Sequence, residues 1–216
     1  MSFVCEIFNT KADFVRKGDS SVKTDKADQR TRITKKMIRE AFLTLLSGKD
    51  IRHITVRELC ERAQINRGTF YKYYLDVYDL KEQIENELLI EFAASVGRFA
   101  DSGALDSVSA VCRTVFALLK ENSELCMILL GQDAGSGIID KFVKIGHDAF
   151  MAFYGGRFPN TDTEKLERYY LFISGGCVVS LRRWILSGMK EPVEVIAEEI
   201  AGIMTYGVGY LSDKKA

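Results

Sequence analysis

The sequence predicts an all-α fold in two parts, a small N-terminal three-helix domain and a larger helical domain behind it. Three observations lead there. Proline is nearly absent, at Pro159 and Pro192 only, so little interrupts helix propagation. Apolar residues recur at three- and four-residue spacing along most of the chain, as helices with one buried face require. No stretch of useful length alternates apolar and polar residues as a half-buried strand would, and no internal repeat appears. With 216 residues, 47% of them hydrophobic, a sizeable core is within reach.

Residues 1–29 show little periodicity after Phe14 and end in the polar stretch 17–29. They read as an N-terminal arm that need not be ordered. The first helix is expected from Thr31 to Ser47, with Ile33, Met37, Ile38, Ala41, Phe42, Leu45 and Leu46 inward and Gly48 as the stop. The second opens at Thr55, where Thr55 and Glu58 have the spacing of a capping box. It buries Val56, Leu59, Cys60 and Ala63. The chain then turns through Gln64 and Ile65, and Asn66 is placed to cap a short third helix carrying Arg67 to Tyr74. A fourth helix follows Asp76 to about Ala100. Further helices are expected at about 105–120, 123–130 and 137–154. A long one opens on a second capping box, Thr161 with Glu164, and closes at Gly188. The last starts near Pro192, a favoured first-turn residue, and runs to about Leu211. The domain boundaries implied are 30–76 for the three-helix part and 77–216 for the remainder.

Charge is distributed unevenly. Lysines and arginines match acidic residues overall, yet residues 30–74 hold eleven of the former against four of the latter. Residues 75–216 hold fourteen against twenty-one. A basic module joined to an acidic one points the first at a polyanion. No apolar run approaches the roughly 20 residues that span a bilayer, and Met1 to Phe8 lacks the basic leader of an export signal. The five cysteines, Cys5, Cys60, Cys112, Cys126 and Cys177, are scattered and show no metal or redox spacing. A cytoplasmic protein with reduced thiols, no membrane partner, no cofactor and no metal is expected.

Residues 55–74 carry the chemistry. A short capped helix, a tight turn and a second helix with polar residues at its leading end make a helix-turn-helix. In that motif the second helix enters the major groove and its first residues meet base edges. The DNA-binding candidates are Lys36, Thr55, Asn66, Arg67, Gly68, Thr69, Tyr71, Lys72 and Tyr73. Arginine pairs bidentately with guanine, Asn and Thr bond bases or phosphates, and tyrosine hydroxyls suit phosphate. Gly68 allows close approach of the backbone to the duplex.

The run from Ile54 to Ala63, followed by Ile65-Asn66-Arg67-Gly68-Thr69-Phe70-Tyr71-Lys72-Tyr73-Tyr74, resembles the DNA-binding domain of TetR/AcrR-type regulators. Two residues depart from that pattern. Gln64 stands where a small turn residue is usual, which is tolerable where φ stays negative. Val77 stands where a phosphate-binding Lys is usual at the start of the fourth helix. Farther along, Phe172-Ile173-Ser174-Gly175-Gly176 with Arg183-Trp184 and Gly188 resembles a subset with a compact C-terminal domain, which includes regulators of dihydroxyacetone kinase operons.

The resemblance implies a homodimer held by the last two helices, with Gly175, Gly176, Val179, Arg183, Ile196, Ile200 and Ile203 as candidates. A separate argument agrees: one short recognition helix reads few base pairs, and two copies about a two-fold axis read a pseudo-palindromic operator. The resemblance also implies an unidentified small-molecule effector that releases a repressor from DNA. Phe92, Phe116, Phe150, Tyr169 and Trp184 are the candidates for its pocket, weighed against ordinary helical core. His147 is a further polar group in that region. Catalysis finds no support, since only His53 and His147 are present and no nucleophile elbow, P-loop or metal-binding helix motif appears. The remaining alternative is a helical interaction module that has lost operator binding.

Overall fold

The computed structural model describes residues 23–102, 107–131 and 137–207, and among them every regular element is helical. The chain divides into two compact units, the first ending at Leu88 and the second beginning at Leu89. This division falls inside the fourth helix rather than at the expected 76/77 boundary, because that helix runs unbroken through it.

The first unit comprises α1 (Lys23–Gly48), a 3-10 turn (Ile51–His53), α2 (Val56–Arg62), α3 (Arg67–Tyr71) and the opening half of α4 (Val77–Ser102). α1 begins eight residues before the expected Thr31, within the stretch read as an arm. Residues 23–30 are mostly polar but rich in Lys, Ala, Gln and Arg, which favour helix without needing a buried face. Periodicity registers only the buried part. Residues 1–22 lie outside the described residues. Ile33 is exposed rather than inward; Ile38, Phe42, Leu46, Leu59, Phe70 and Leu80 form the sealed centre of this unit.

Caps set the short helices. Thr55 Oγ1 accepts from the Glu58 amide at 3.2 Å, but the Glu58 carboxylate turns to Lys49 Nζ at 2.5 Å. Only half of the expected capping box forms, since the cation offers a stronger partner than a solvated amide. Asn66 Oδ1 accepts from the Thr69 amide at 2.7 Å and fixes the first turn of α3. Asp76 Oδ1 accepts from the amides of Tyr78 and Asp79, and Asp79 Oδ2 accepts from the Leu75 amide, all at 2.8–2.9 Å.

The second unit holds the remainder of α4 with α5 (Ser107–Glu121), α6 (Ser123–Gly131), α7 (Ile138–Arg157), α8 (Thr163–Leu186) and α9 (Val193–Gly207). α9 packs along α5, while α7 and α6 pack on α8. The cap of α8 is Asp162, which accepts from the Glu164 amide, rather than the expected Thr161. Where α7 meets α8, Phe150, Phe153, Tyr154, Leu166, Tyr169, Tyr170 and Ile173 make an aromatic core. Its buried hydroxyls are satisfied: Tyr170 donates to the Val143 carbonyl at 2.5 Å and Tyr169 to the Met204 carbonyl at 2.6 Å.

Candidate nucleic-acid interface

α3 is held from below by its aromatic residues. Phe70 is fully buried and Tyr74 nearly so, their ring centroids 5.6 Å apart, and they seat the helix on α1 and α2 of the first unit. The opposite side is open. Asn66, Arg67, Gly68, Tyr71 and Lys72 are exposed, and Thr69 and Tyr73 are half-buried. Arg67, at the first helical position, makes no ion pair with a described residue, so its guanidinium is available to a partner.

Not every candidate is equally available. Asn66 Oδ1 bonds both the amide and the hydroxyl of Thr69, the latter at 2.9 Å. These bonds hold the helix end through the Asn66 Oδ1 acceptor and the Thr69 hydroxyl proton, and they leave the Asn66 Nδ2 donors and the Thr69 oxygen as the groups that could meet a partner. Thr55 likewise has its hydroxyl committed to the α2 cap. Lys36 is exposed and lies 3.8 Å from Glu40, a surface pair worth little. Its neighbour Lys35 is more suggestively placed. Lys35 Nζ lies 5.9 Å from the ring centroids of both Tyr73 and Tyr74, and Lys72 Nζ lies 5.6 Å from that of Tyr73. Nothing in one sequence distinguishes Lys35 from Lys36 for this role, because the packing angle of α1 decides which faces α3.

The turn corrects one expectation. Gln64 adopts φ 54°, in the left-handed region that costs a residue with a Cβ about 1–2 kcal/mol. The tolerance premised on a negative φ does not hold. Val77 is buried, as an apolar first-turn residue should be, and offers no contact to an anion.

Comparison with known proteins agrees with this architecture. Residues 106–206 match the TetR-type family described as "Transcriptional regulator C-terminal region". Over those residues the chain is similar to the C-terminal region of TetR-type transcriptional regulators. An uncharacterized HTH-type transcriptional regulator of Bacillus subtilis, YxbF, is 39% identical over 51 residues, 24% of this chain. That match spans only 13% of the length of YxbF. Two solved structures share the fold at low identity. The dihydroxyacetone kinase operon activator DhaS is 17% identical, with a TM-score of 0.59 over 83% of this chain and 98% of its own. FadR of Bacillus subtilis in complex with stearoyl-CoA is 14% identical, with a TM-score of 0.63 over 79% and 97%.

The candidates in the second unit divide. On α8, Gly175, Gly176, Val179 and Arg183 are exposed, and on α9 so is Ile203. Phe172 and Leu186 on α8 and Val195 and Tyr206 on α9 are exposed as well. Ile196 and Ile200 do not belong with them. Both are buried on the face of α9 that packs along α5 within the chain. The α9 helix is apolar on two faces, and periodicity alone assigns neither to a partner.

The proposed pocket residues do not converge. Phe116 and Trp184 meet edge-on at 5.6 Å, Phe92 meets Phe142 at 4.8 Å, and Phe150 and Tyr169 lie in the α7–α8 core. Trp184 donates its indole N–H to the Glu191 carbonyl at 3.0 Å, which pins the turn into α9. The structure brings the candidates together in pairs and not as one group. His147 bonds Glu167 through Nε2 at 2.8 Å and meets Tyr170 edge-on. An open cleft of about 580 Å³ lies elsewhere, lined by Glu91, Ser95, Arg113, Thr114, Glu121 and Glu194 among others. Arg113 is committed to Glu198. Among the described residues no three metal-ligating side chains gather, and no helix is long and apolar enough to cross a membrane.

Proposed function

We propose that this protein binds a pseudo-palindromic operator as a homodimer and represses transcription until a small molecule releases it. The carrying observation is the solvent-open leading end of α3, with Arg67 uncommitted, on a first unit rich in lysine and arginine. Arg67 is the base-reading residue in this scheme. Lys72, Tyr71 and Tyr73 set the helix on phosphate, and Asn66 and Thr69 keep its end rigid.

The dimer reading rests on the exposed face of α8 and α9. Phe172, Val179 and Ile203 are 80%, 68% and 63% exposed, and the three- and four-residue spacing of Phe172, Gly176, Val179 and Leu186 puts an apolar stripe on one side of α8, as an interaction face would. A Cβ added at Gly175 or Gly176 would meet nothing within 4 Å, so the chain's own packing does not require glycine there. Close approach of a second copy does. The effector is the least defined part. FadR holds stearoyl-CoA, whereas the cleft of this chain is lined by three carboxylates against one paired arginine. A ligand as anionic as an acyl-CoA is disfavoured there by like charge.

The reading is tested with the intergenic DNA beside its own gene. Arg67→Ala should lose preference for that DNA over mixed sequence by about 10-fold or more, the worth of one bidentate contact. Equal affinity of the wild-type protein for both DNAs would favour the interaction-module alternative.

A further inference from the structure

The first turn of α4 follows directly on the recognition helix, and its free amides would ordinarily attract a phosphate. Here they are taken. Asp76 accepts from the amides of Tyr78 and Asp79, and Asp79 adds a second carboxylate that holds the Leu75 amide. Val77 between them is buried. This end of the helix is anionic and repels a DNA backbone.

Two cations meet the ring of Tyr73. Lys72 reaches that ring from the C-terminal cap of α3, and Lys35 reaches it from α1. Neither ammonium forms an ion pair with a described carboxylate, in contrast to Lys36 with Glu40. Each ammonium lies within reach of the ring's negative face, at 5.9 Å for Lys35 and 5.6 Å for Lys72, and each keeps its charge for an anion.

We propose that Lys35 and Lys72, brought together on Tyr73, clamp one backbone phosphate of duplex DNA, with Tyr73 as the positioning residue. The proposal rests on the DNA-binding reading above and adds Lys35, from a helix outside the helix-turn-helix. The clamp anchors the C-terminal end of α3, so Arg67 at its other end meets the groove in a fixed register. The ring serves as platform, and its hydroxyl is secondary.

The test needs no operator, because non-specific binding reports phosphate contacts alone. Fluorescence anisotropy follows a mixed-sequence duplex about two helical turns long across about 50–200 mM KCl. Lys35→Gln should lower the magnitude of the log Kd against log salt slope by about 1 per binding unit, and Lys72→Gln likewise. Lys120→Gln, which removes the same charge from exposed α5, should leave the slope at the wild-type value. Tyr73→Leu should lose as much as Lys35→Gln, Tyr73→Phe should restore it, and Lys35→Gln with Tyr73→Leu should lose no more than either alone. Melting temperatures confirm that each variant folds. An unchanged slope for folded Lys35→Gln, beside a steep wild-type slope, overturns the clamp and leaves operator binding standing. A wild-type protein with no salt-dependent affinity overturns both.

Discussion

Gly146 offers a quantitative test of how α7 and α8 fit together. A Cβ built there would lie 2.7 Å from Tyr170 Oη, well inside contact distance, with the next atom of that ring at 3.8 Å. Tyr170 cannot readily step aside. It is buried, donates to the Val143 carbonyl, and packs against Phe150 and His147 at centroid distances of 5.2 Å. Two terms oppose each other in Gly146→Ala. Alanine gains about 1 kcal/mol over glycine in a helix interior, while overpacking a rigid neighbour costs about 1–3 kcal/mol. The single variant should therefore be destabilised by up to about 2 kcal/mol. Tyr170→Phe alone should cost about 0.5–1.5 kcal/mol for the lost hydrogen bond. In the Tyr170→Phe background the clashing hydroxyl is gone, and the same glycine-to-alanine change should stabilise by about 0.5–1 kcal/mol. The coupling is then about 1–3 kcal/mol, measurable by urea unfolding followed by circular dichroism at one fixed protein concentration. Additivity of the two changes within about 0.5 kcal/mol would falsify the packing argument.

Three other perturbations follow from the same geometry. Gln64→Gly relieves a left-handed residue at the cost of a freer unfolded chain, and should raise stability by about 0.5–1 kcal/mol, read as a melting temperature higher by about 2–4 °C. Phe172→Glu places a charge in the exposed apolar face of α8, and sedimentation at micromolar concentration should show a dimer for the wild type and a monomer for the variant. Burial pushes the thiols of Cys112 and Cys126 from 9.0 up to about 12, and the hydroxyls of Tyr74 and Tyr169 from 10.0 up to about 12. The folded chain keeps protons that the unfolded chain releases. The stabilisation is complete below about pH 9 and is lost as pH rises from there toward 12, so the urea midpoint should fall between about pH 8.5 and 10.5. A midpoint flat across that interval would contradict the burial of these groups.

Much of the candidate site was legible because its determinants are local. Asn66 capping Thr69, Thr55 capping Glu58 and the burial of Phe70 beneath Arg67 all act within one helical turn, and residue order alone specifies them. The same holds for the all-helical fold, since a three-to-four spacing of apolar residues admits no other regular structure of that length. The sequence-level errors arose where one residue type fits two environments. Thr161 and Asp162 are adjacent and both cap helices well, and the chain uses Asp162. Glu58 has two donors in reach and takes the ammonium of Lys49. The start of α1, residues 23–30, is polar but for one alanine, so its helix left no apolar periodicity to read.

What the sequence determined by itself is the set of helices, most of their caps and the polar leading edge of α3. Tertiary structure alone decided which of two apolar faces on α9 meets α5, which of two adjacent lysines meets Tyr73, and how the aromatic rings of α7 and α8 find one another. A cap or a helical stripe is set by neighbours a few residues away. A packing partner is set by the rotation and crossing of whole helices, which depends on every side chain between them.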